Sequence, residues 1–129
     1  MLTIYTGHHL INQKTTHDLF ISDLMDEDAV YDTTCAFLTE HNLSNNLSIR
    51  TNNPIVIQTA ITILFEKEKQ NLLRIIFIDK DFTETIMTLD EYGNLTNYTP
   101  NFQVMIKNLL FRRIKQSQRI RERNESTHD

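Results

Sequence analysis

Hydrophobic positions along the chain follow two periods, and each change of period predicts a new element. Leu2 to Thr6 alternates in a β-rich run that Gly7 ends, which predicts a first strand. Between residues 8 and 24 neither period fits, although Leu19, Phe20 and Ile21 are apolar enough to require burial. The sequence therefore leaves this segment without an assigned element.

Two helices are predicted in the first half of the chain. Asp26 is a suitable N-cap, acidic residues follow it at the positive end of the helix dipole, and we expect that helix to end near Asn42. Asn53-Pro54 combines an asparagine cap with proline at the first helical position. The next residues are rich in β-branched side chains, but their apolar positions recur in pairs every four residues, which favours a helix: Val56, Ile57, Ala60, Ile61, Leu64 and Phe65.

The second half of the chain predicts a strand meander and a long final helix. Leu72–Ile78 is a nearly continuous apolar run, typical of a central strand. An Asp-Lys-Asp turn and a Tyr-Gly-Asn turn separate it from two partner strands, Phe82–Leu89 and Leu95–Tyr98. Thr99-Pro100 then begins a helix whose apolar stripe is Phe102, Met105, Ile106, Leu109, Leu110 and Ile114.

These elements predict the α+β class, with a four- or five-stranded, mostly antiparallel sheet and two or three helices packed on it. The length of 129 residues is that of one compact domain. We expect this domain to span residues 1–117 and to include most of the long C-terminal helix. Residues 118–129 are predicted to form a basic, polar and frayed tail, because Ile120 is their only apolar member.

Charge is distributed unevenly between the two ends of the sequence. Residues 1–100 contain six basic and fourteen acidic residues, a net charge of −8, whereas residues 101–129 contain seven basic and three acidic residues, a net charge of +4. The chain is thus an acidic body followed by a basic end. This asymmetry is the most informative global feature for function.

Composition limits the classes of function and the compartment. The chain has only two glycines, which excludes a glycine-rich phosphate loop. Cys35 is the single cysteine, so no internal disulfide forms, and we expect a reducing, cytoplasmic compartment. The N-terminus lacks the features of a signal peptide, and no apolar run approaches the length of a membrane span. The sequence predicts no membrane association.

An acidic run at residues 23–28 is the first candidate binding surface. Its acidic members are Asp23, Asp26, Glu27 and Asp28. They are suited to gripping a basic protein partner, such as a toxin, a nuclease or another enzyme. The alternative is that the last three simply complement a helix N-terminus, which leaves Asp23 unexplained.

The basic end of the chain is the second candidate. Arg112, Lys115 and Arg119 share one face of the predicted helix, and Arg121 and Arg123 follow them. Arginine side chains recognise phosphate well, so these residues are a candidate nucleic-acid contact. The alternative is a solvated helix end whose cations favour the negative pole of its dipole, and the acidic body would repel a polyanion.

A third candidate is a metal site in the N-terminal histidine and aspartate cluster. Histidine and carboxylate are ligand types for zinc and other divalent metals, and the cluster consists of His8, His9 and His17 with Asp18, Asp23, Asp26 and Asp28 nearby in sequence. Their spacing matches no metal-binding motif, and adjacent histidines on a strand would point to opposite faces. We therefore expect no metal, no cofactor and no catalytic residue.

One segment shows a resemblance to a known family. Ser48-Ile49-Arg50-Thr51-Asn52-Asn53-Pro54, followed by a helix and the strand Arg74–Ile78, resembles the switch strand and following helix of ABC-type ATPases, where a Thr-His-Ser/Asn-Pro element reads the γ-phosphate. Asn52 stands where that family has histidine, and the chain contains neither a Walker A nor a Walker B element. The resemblance covers about a quarter of the chain at most and implies a remnant that does not hydrolyse ATP.

The sequence as a whole favours a non-enzymatic interaction module. A small acidic cytoplasmic domain without a catalytic motif is typical of an inhibitor, an immunity protein or an antitoxin-type partner, or of a phage or mobile-element accessory protein. Two alternatives remain open. One is a nucleic-acid-associated regulator that uses the basic C-terminal helix, and the other is a metal-dependent enzyme built on the N-terminal histidine and aspartate cluster.

Overall fold

In a computed structural model the described residues form a mixed sheet of six strands, with three α-helices and one short 3-10 helix. The structure describes residues 1–8, 18–22, 26–97 and 99–126; in the last range the side chains at 105, 106, 109, 110, 112–114, 116, 117 and 126 are not described. The elements in chain order are β1 Leu2–Gly7, β2 Leu19–Ile21, α1 Glu27–Glu40, β3 Leu47–Thr51, α2 Pro54–Glu66, the 3-10 helix Gln70–Leu72, β4 Leu73–Ile78, β5 Glu84–Leu89, β6 Leu95–Thr96 and α3 Pro100–Ser126.

The strand order corrects the expected sheet. The order is β2-β3-β1-β4-β5-β6, and the first four strands are parallel, so the sheet is larger than expected and is not mostly antiparallel. β5 is antiparallel to β4, and β6 is antiparallel to β5, because a short turn joins each of these pairs. The parallel half arises because α1 joins β2 to β3 and α2 joins β3 to β4, and a helix crossover returns the chain in the same direction.

The main core lies between the helices and one face of the sheet. Ile4 of β1 is paired with Ile49 of β3 on one side and Ile75 of β4 on the other, and all three are fully buried. Against this row pack apolar side chains of all three helices. On the opposite face Tyr5 lies between Arg50 and Ile76, where the Arg50 guanidinium stacks over the exposed Phe20 ring at 4.6 Å. The described elements therefore form two layers.

The predicted start of α2 is confirmed in atomic detail. The side-chain oxygen of Asn53 accepts a hydrogen bond from the Ile55 amide at 3.0 Å, and Pro54 occupies the first turn. The four-residue period is confirmed as well, since Val56, Ile57, Ala60 and Leu64 are buried. Phe65, which the stripe placed in the core, is exposed at the last turn of the helix.

Helix α3 contains 27 residues, which corresponds to a length of about 40 Å. Phe102 in its first turn is buried, and its ring meets Phe77 of β4 edge-on at 5.6 Å between centroids. The described side chains beyond Phe102 are exposed up to Glu125. The expected domain boundary near residue 117 remains a prediction, and the helix itself continues past it to Ser126. Leu109 and Leu110, which we expect to be buried, have side chains outside the described set.

Candidate functional site

The acidic start of α1 is exposed to solvent. Asp26 is the N-cap residue, and Glu27 and Asp28 form the first turn; all three are exposed, whereas Asp23 lies outside the described residues. The Asp26 side chain makes no capping hydrogen bond, in contrast to Asn53 at the start of α2. The carboxylate of Asp26 therefore contributes to the helix only through its charge near the dipole, and its oxygens face water.

One turn further along, α1 presents an aromatic side chain beside these acids. Tyr31 is 53% exposed, which is high for a ring of its size. A side-chain hydrogen bond with Cys35 raises the pKa of Tyr31, and the nearby carboxylates of Glu66 and Asp32 act in the same direction. The hydroxyl of Tyr31 is therefore already hydrogen-bonded within α1, and its exposed ring is the surface that it presents.

The carboxyl ends of the parallel strands form one edge of the sheet, and the Asn52 side chain forms hydrogen bonds between two of these ends. The Asn52 side-chain oxygen accepts hydrogen bonds from the Gly7 amide at 2.7 Å and from the Thr6 hydroxyl at 3.0 Å, and its nitrogen donates to the Gly7 carbonyl at 3.0 Å. This side chain joins the end of β3 to the end of β1. Asn52 stands in the histidine position of the resemblance to ABC-type ATPases, and here its side-chain oxygen and nitrogen both bond to the end of β1.

The turn between β4 and β5 continues this edge with two charged aspartates. A side-chain hydrogen bond from Asn101, 2.8 Å from Oδ2, lowers the pKa of Asp79, and the Lys80 amide bonded to Oδ1 at 2.7 Å adds to the effect. Hydrogen bonds with Thr83 lower the pKa of Asp81. Both carboxylates therefore remain ionised well below neutral pH.

The start of α1 and the β4–β5 turn border the same edge. α1 begins five residues after Ser22, which follows the carboxyl end of β2, and the turn at residues 79–83 follows the carboxyl end of β4. In the strand order, three strand spacings separate β2 from β4, a distance of about 14 Å. We call the five acids that border this side of the sheet the acidic edge: Asp26, Glu27, Asp28, Asp79 and Asp81.

The basic residues of the final helix are placed apart from this edge. Lys115, Arg119, Arg121 and Arg123 are exposed on α3, and the side chain of Arg112 lies outside the described set. The Lys115 ammonium lies 5.7 Å from the centre of the exposed Phe111 ring, a weak cation–π contact along the helix. These cations are thus exposed along the second half of the helix.

The candidate metal site is only partly described, because His9 and His17 lie outside the described residues. The amide of His8 donates to the Ile78 carbonyl at 2.8 Å, and its ring meets the Phe77 ring edge-on at 6.3 Å. Within residues 1–8, 18–22, 26–97 and 99–126, no group of three or more histidine, cysteine, aspartate or glutamate side chains is arranged to hold a metal ion.

The acids of α1 were predicted from the sequence, whereas Tyr31, Asp79 and Asp81 were not. Helical spacing would have been enough to find Tyr31. It lies five residues after the cap, on a different side of the helix from the buried Val30 and Thr34. For the two aspartates, the topology was needed to show that their turn borders the same edge as α1.

No helix in the described part of the chain is long and apolar enough to cross a membrane. Comparisons of the chain with protein-family models, with curated proteins and with solved structures found no match.

Proposed function

We propose that this chain is a non-enzymatic interaction module that binds a basic protein partner through the exposed start of α1. Inhibitors, immunity proteins and antitoxins of toxins or nucleases are the class that this binding mode fits best. The observation that supports the proposal is that Asp26, Glu27 and Asp28 are exposed beside the exposed Tyr31, while the Asp26 side chain forms no capping bond.

The physical basis is that surface charge and aromatic surface contribute to different steps of binding. Carboxylates on the surface attract a basic partner over roughly a Debye length, about 8 Å at physiological salt, and mainly raise the association rate. Tyrosine is enriched among the residues that contribute most to binding free energy, because its ring buries a large area and its hydroxyl donates a hydrogen bond. Acids around a tyrosine therefore increase the association rate, and the tyrosine contributes to the binding free energy.

Charge reversal at the start of α1 tests this proposal. The wild-type chain is immobilised, proteins of the source organism that bind it are identified by mass spectrometry, and the partner is purified. We expect Asp26→Lys with Asp28→Lys to slow association with that partner by about tenfold at low salt and to flatten its salt dependence. Surface plasmon resonance measures both rates.

A matched control makes the same change of net charge elsewhere. Glu122→Lys with Glu125→Lys reverses two exposed acids on α3, far along the chain from α1. At physiological salt this control should leave the association rate within about twofold of wild type, because charges more than a Debye length from the contact are then largely screened. Equal slowing in both double variants would show that α1 is not the contact and would overturn the proposal.

A second candidate function is nucleic-acid binding through α3. It is favoured by the continuation of α3 to Ser126 with Lys115, Arg119, Arg121 and Arg123 exposed. A cationic helix of this kind binds phosphates without sequence preference and with strong salt dependence. Truncation of the chain after Ser117 tests this function.

A further inference from the structure

Two turns of the chain share one hydrogen-bonding design. They span residues 79–83, between β4 and β5, and residues 90–94, between β5 and β6. In each, the amide of the first residue donates to the carbonyl of the fifth at 2.9 Å, and the amide of the fourth donates to the carbonyl of the first, at 3.0 Å and 3.1 Å respectively. Both begin with an aspartate whose side chain accepts backbone amides of the turn. The two turns can therefore be compared position by position.

The fourth residue of each turn has a left-handed backbone, and the two turns fill that position differently. Gly93 has φ +79° and Phe82 has φ +68°. Glycine is the residue that this position favours, because a side chain in the left-handed region crowds the backbone. Two other non-glycine residues in the described ranges have positive φ: Asn97, a type that tolerates it, and Glu68, just past the end of α2. A bulky aromatic residue at this position is the exception.

Burial does not compensate for this strain. The Phe82 side chain is 64% exposed, whereas Phe102 and Phe77, the aromatic pair of the core, are almost completely buried. Phe82 lies outside the apolar core, and a bulky residue held in a left-handed backbone is an observation from which a functional role can be inferred. Exposed aromatic rings on a rigid turn are typical anchors of protein interfaces.

The surroundings of Phe82 indicate which kind of partner fits it. Asp79 and Asp81 precede it in the turn with Lys80 between them, which leaves a net negative charge, and hydrogen bonds lower the pKa of both aspartates. The turn borders the same edge of the sheet as the acids of α1. An apolar anchor bordered by acids is complementary to an apolar pocket bordered by lysine or arginine side chains.

We propose that Phe82 is the central anchor of the acidic edge and that it enters an apolar pocket, bordered by basic residues, on the partner protein. The basic character of that partner rests on the proposed function. The anchor role of Phe82 rests on its own observations, namely the left-handed backbone, the exposure and the contrast with Gly93.

The first experiment asks what Phe82 does for folding. Phe82→Asn replaces it with a residue that tolerates positive φ, and Tyr92→Asn makes the same kind of change at an exposed aromatic residue of the matching turn. Urea unfolding should give a midpoint for Phe82→Asn at or above that of wild type. A lower midpoint, with Tyr92→Asn unchanged, would mean that the ring serves folding and would overturn the proposal.

The second experiment asks what Phe82 does for binding. A photoreactive benzoylphenylalanine is placed at position 82 or at position 92, and cross-linked proteins of the source organism are identified by mass spectrometry. The partner cross-linked from position 82 is purified, and its affinity is measured by surface plasmon resonance. Phe82→Asn should weaken this affinity at least about 30-fold, Phe82→Tyr should retain it within about threefold, and Tyr92→Asn should leave it unchanged.

The outcomes separate this inference from the proposed function. Loss of affinity in Phe82→Asn together with slower association in Asp26→Lys, Asp28→Lys supports both. Loss in Phe82→Asn alone supports the anchor and removes α1 from the interface. An unchanged affinity in Phe82→Asn, or no protein cross-linked from position 82, overturns the anchor, and the proposed function then depends on the α1 variants alone.

Discussion

Gly7 shows how one residue sets the geometry of the sheet edge. It ends β1 with φ +115°, in a conformation that L side chains rarely adopt, and both its amide and its carbonyl are bonded to the Asn52 side chain. A Cβ atom at this position would clash with the Ile78 carbonyl oxygen and would lie 2.9 Å from the Ile78 nitrogen. β1 and β4 approach this closely because position 7 has no side chain.

We expect Gly7→Ala to destabilise the fold by about 3 kcal/mol or more, since overpacking adds to backbone strain. Gly93→Ala is the matched comparison. Its Cβ would meet the ring of Phe65 at 2.9 Å, and that ring is exposed at the end of α2, so it is able to shift. The expected cost there is smaller, about 1–2 kcal/mol. Urea unfolding of both variants measures the difference, and equal costs would contradict the assigned role of the Ile78 backbone.

At the scale of elements, local sequence patterns predicted the helices and most strands. The relative direction of the strands became known only from the three-dimensional structure. Asn53-Pro54 and the four-residue apolar period specify α2 from neighbouring residues alone. β2 was missed because three residues at a sheet edge are too few to show a period. The parallel pairing of β1 with β3 and β4 brings together residues more than forty positions apart, and no local pattern indicates it.

Helix α3 provides a test of how elements dock. Phe102 is 5% exposed and meets Phe77, whereas Phe111, nine residues later in the same helix, is 57% exposed. We expect Phe102→Ala to cost about 3–5 kcal/mol, because it leaves a cavity in the core, and Phe111→Ala to cost less than about 0.5 kcal/mol. Chemical denaturation of the two variants measures this directly. Similar costs would mean that α3 is held along its length and not mainly by its first turn.

At the scale of the whole molecule, two surfaces of opposite charge are present in one chain. The net charges of −8 for residues 1–100 and +4 for residues 101–129 were evident from the sequence. The sequence did not indicate that the acids of α1 and of the β4–β5 turn border one edge, because this depends on the strand order. Phe82 was not predicted as a site either: the comparison with Gly93 becomes informative only when the backbone of both turns is known.

The opposite charges allow one truncation to separate the two candidate functions. Ending the chain at Ser117 removes Arg119, Arg121 and Arg123, all of them exposed, and leaves Phe102 and the body intact. If the acidic edge is the working surface, the truncated chain should unfold at a urea concentration close to wild type and should bind the same protein partner with an affinity within about twofold.

If α3 is the working surface, the ligand is nucleic acid and the same truncation should abolish its binding. Affinity for a labelled DNA or RNA duplex, measured by fluorescence anisotropy over a salt series, should then fall steeply with salt in the full-length chain, with a logarithmic slope of about −0.9 for each phosphate neutralised on B-DNA. The control Arg119→Glu with Arg121→Glu keeps the helix length and reverses its charge. We expect neither the full-length chain nor the truncated chain to bind a duplex tightly at physiological salt, because the acidic body repels a polyanion. Tight, salt-sensitive binding that both the truncation and the charge reversal remove would instead establish the nucleic-acid function and displace the proposed protein partner.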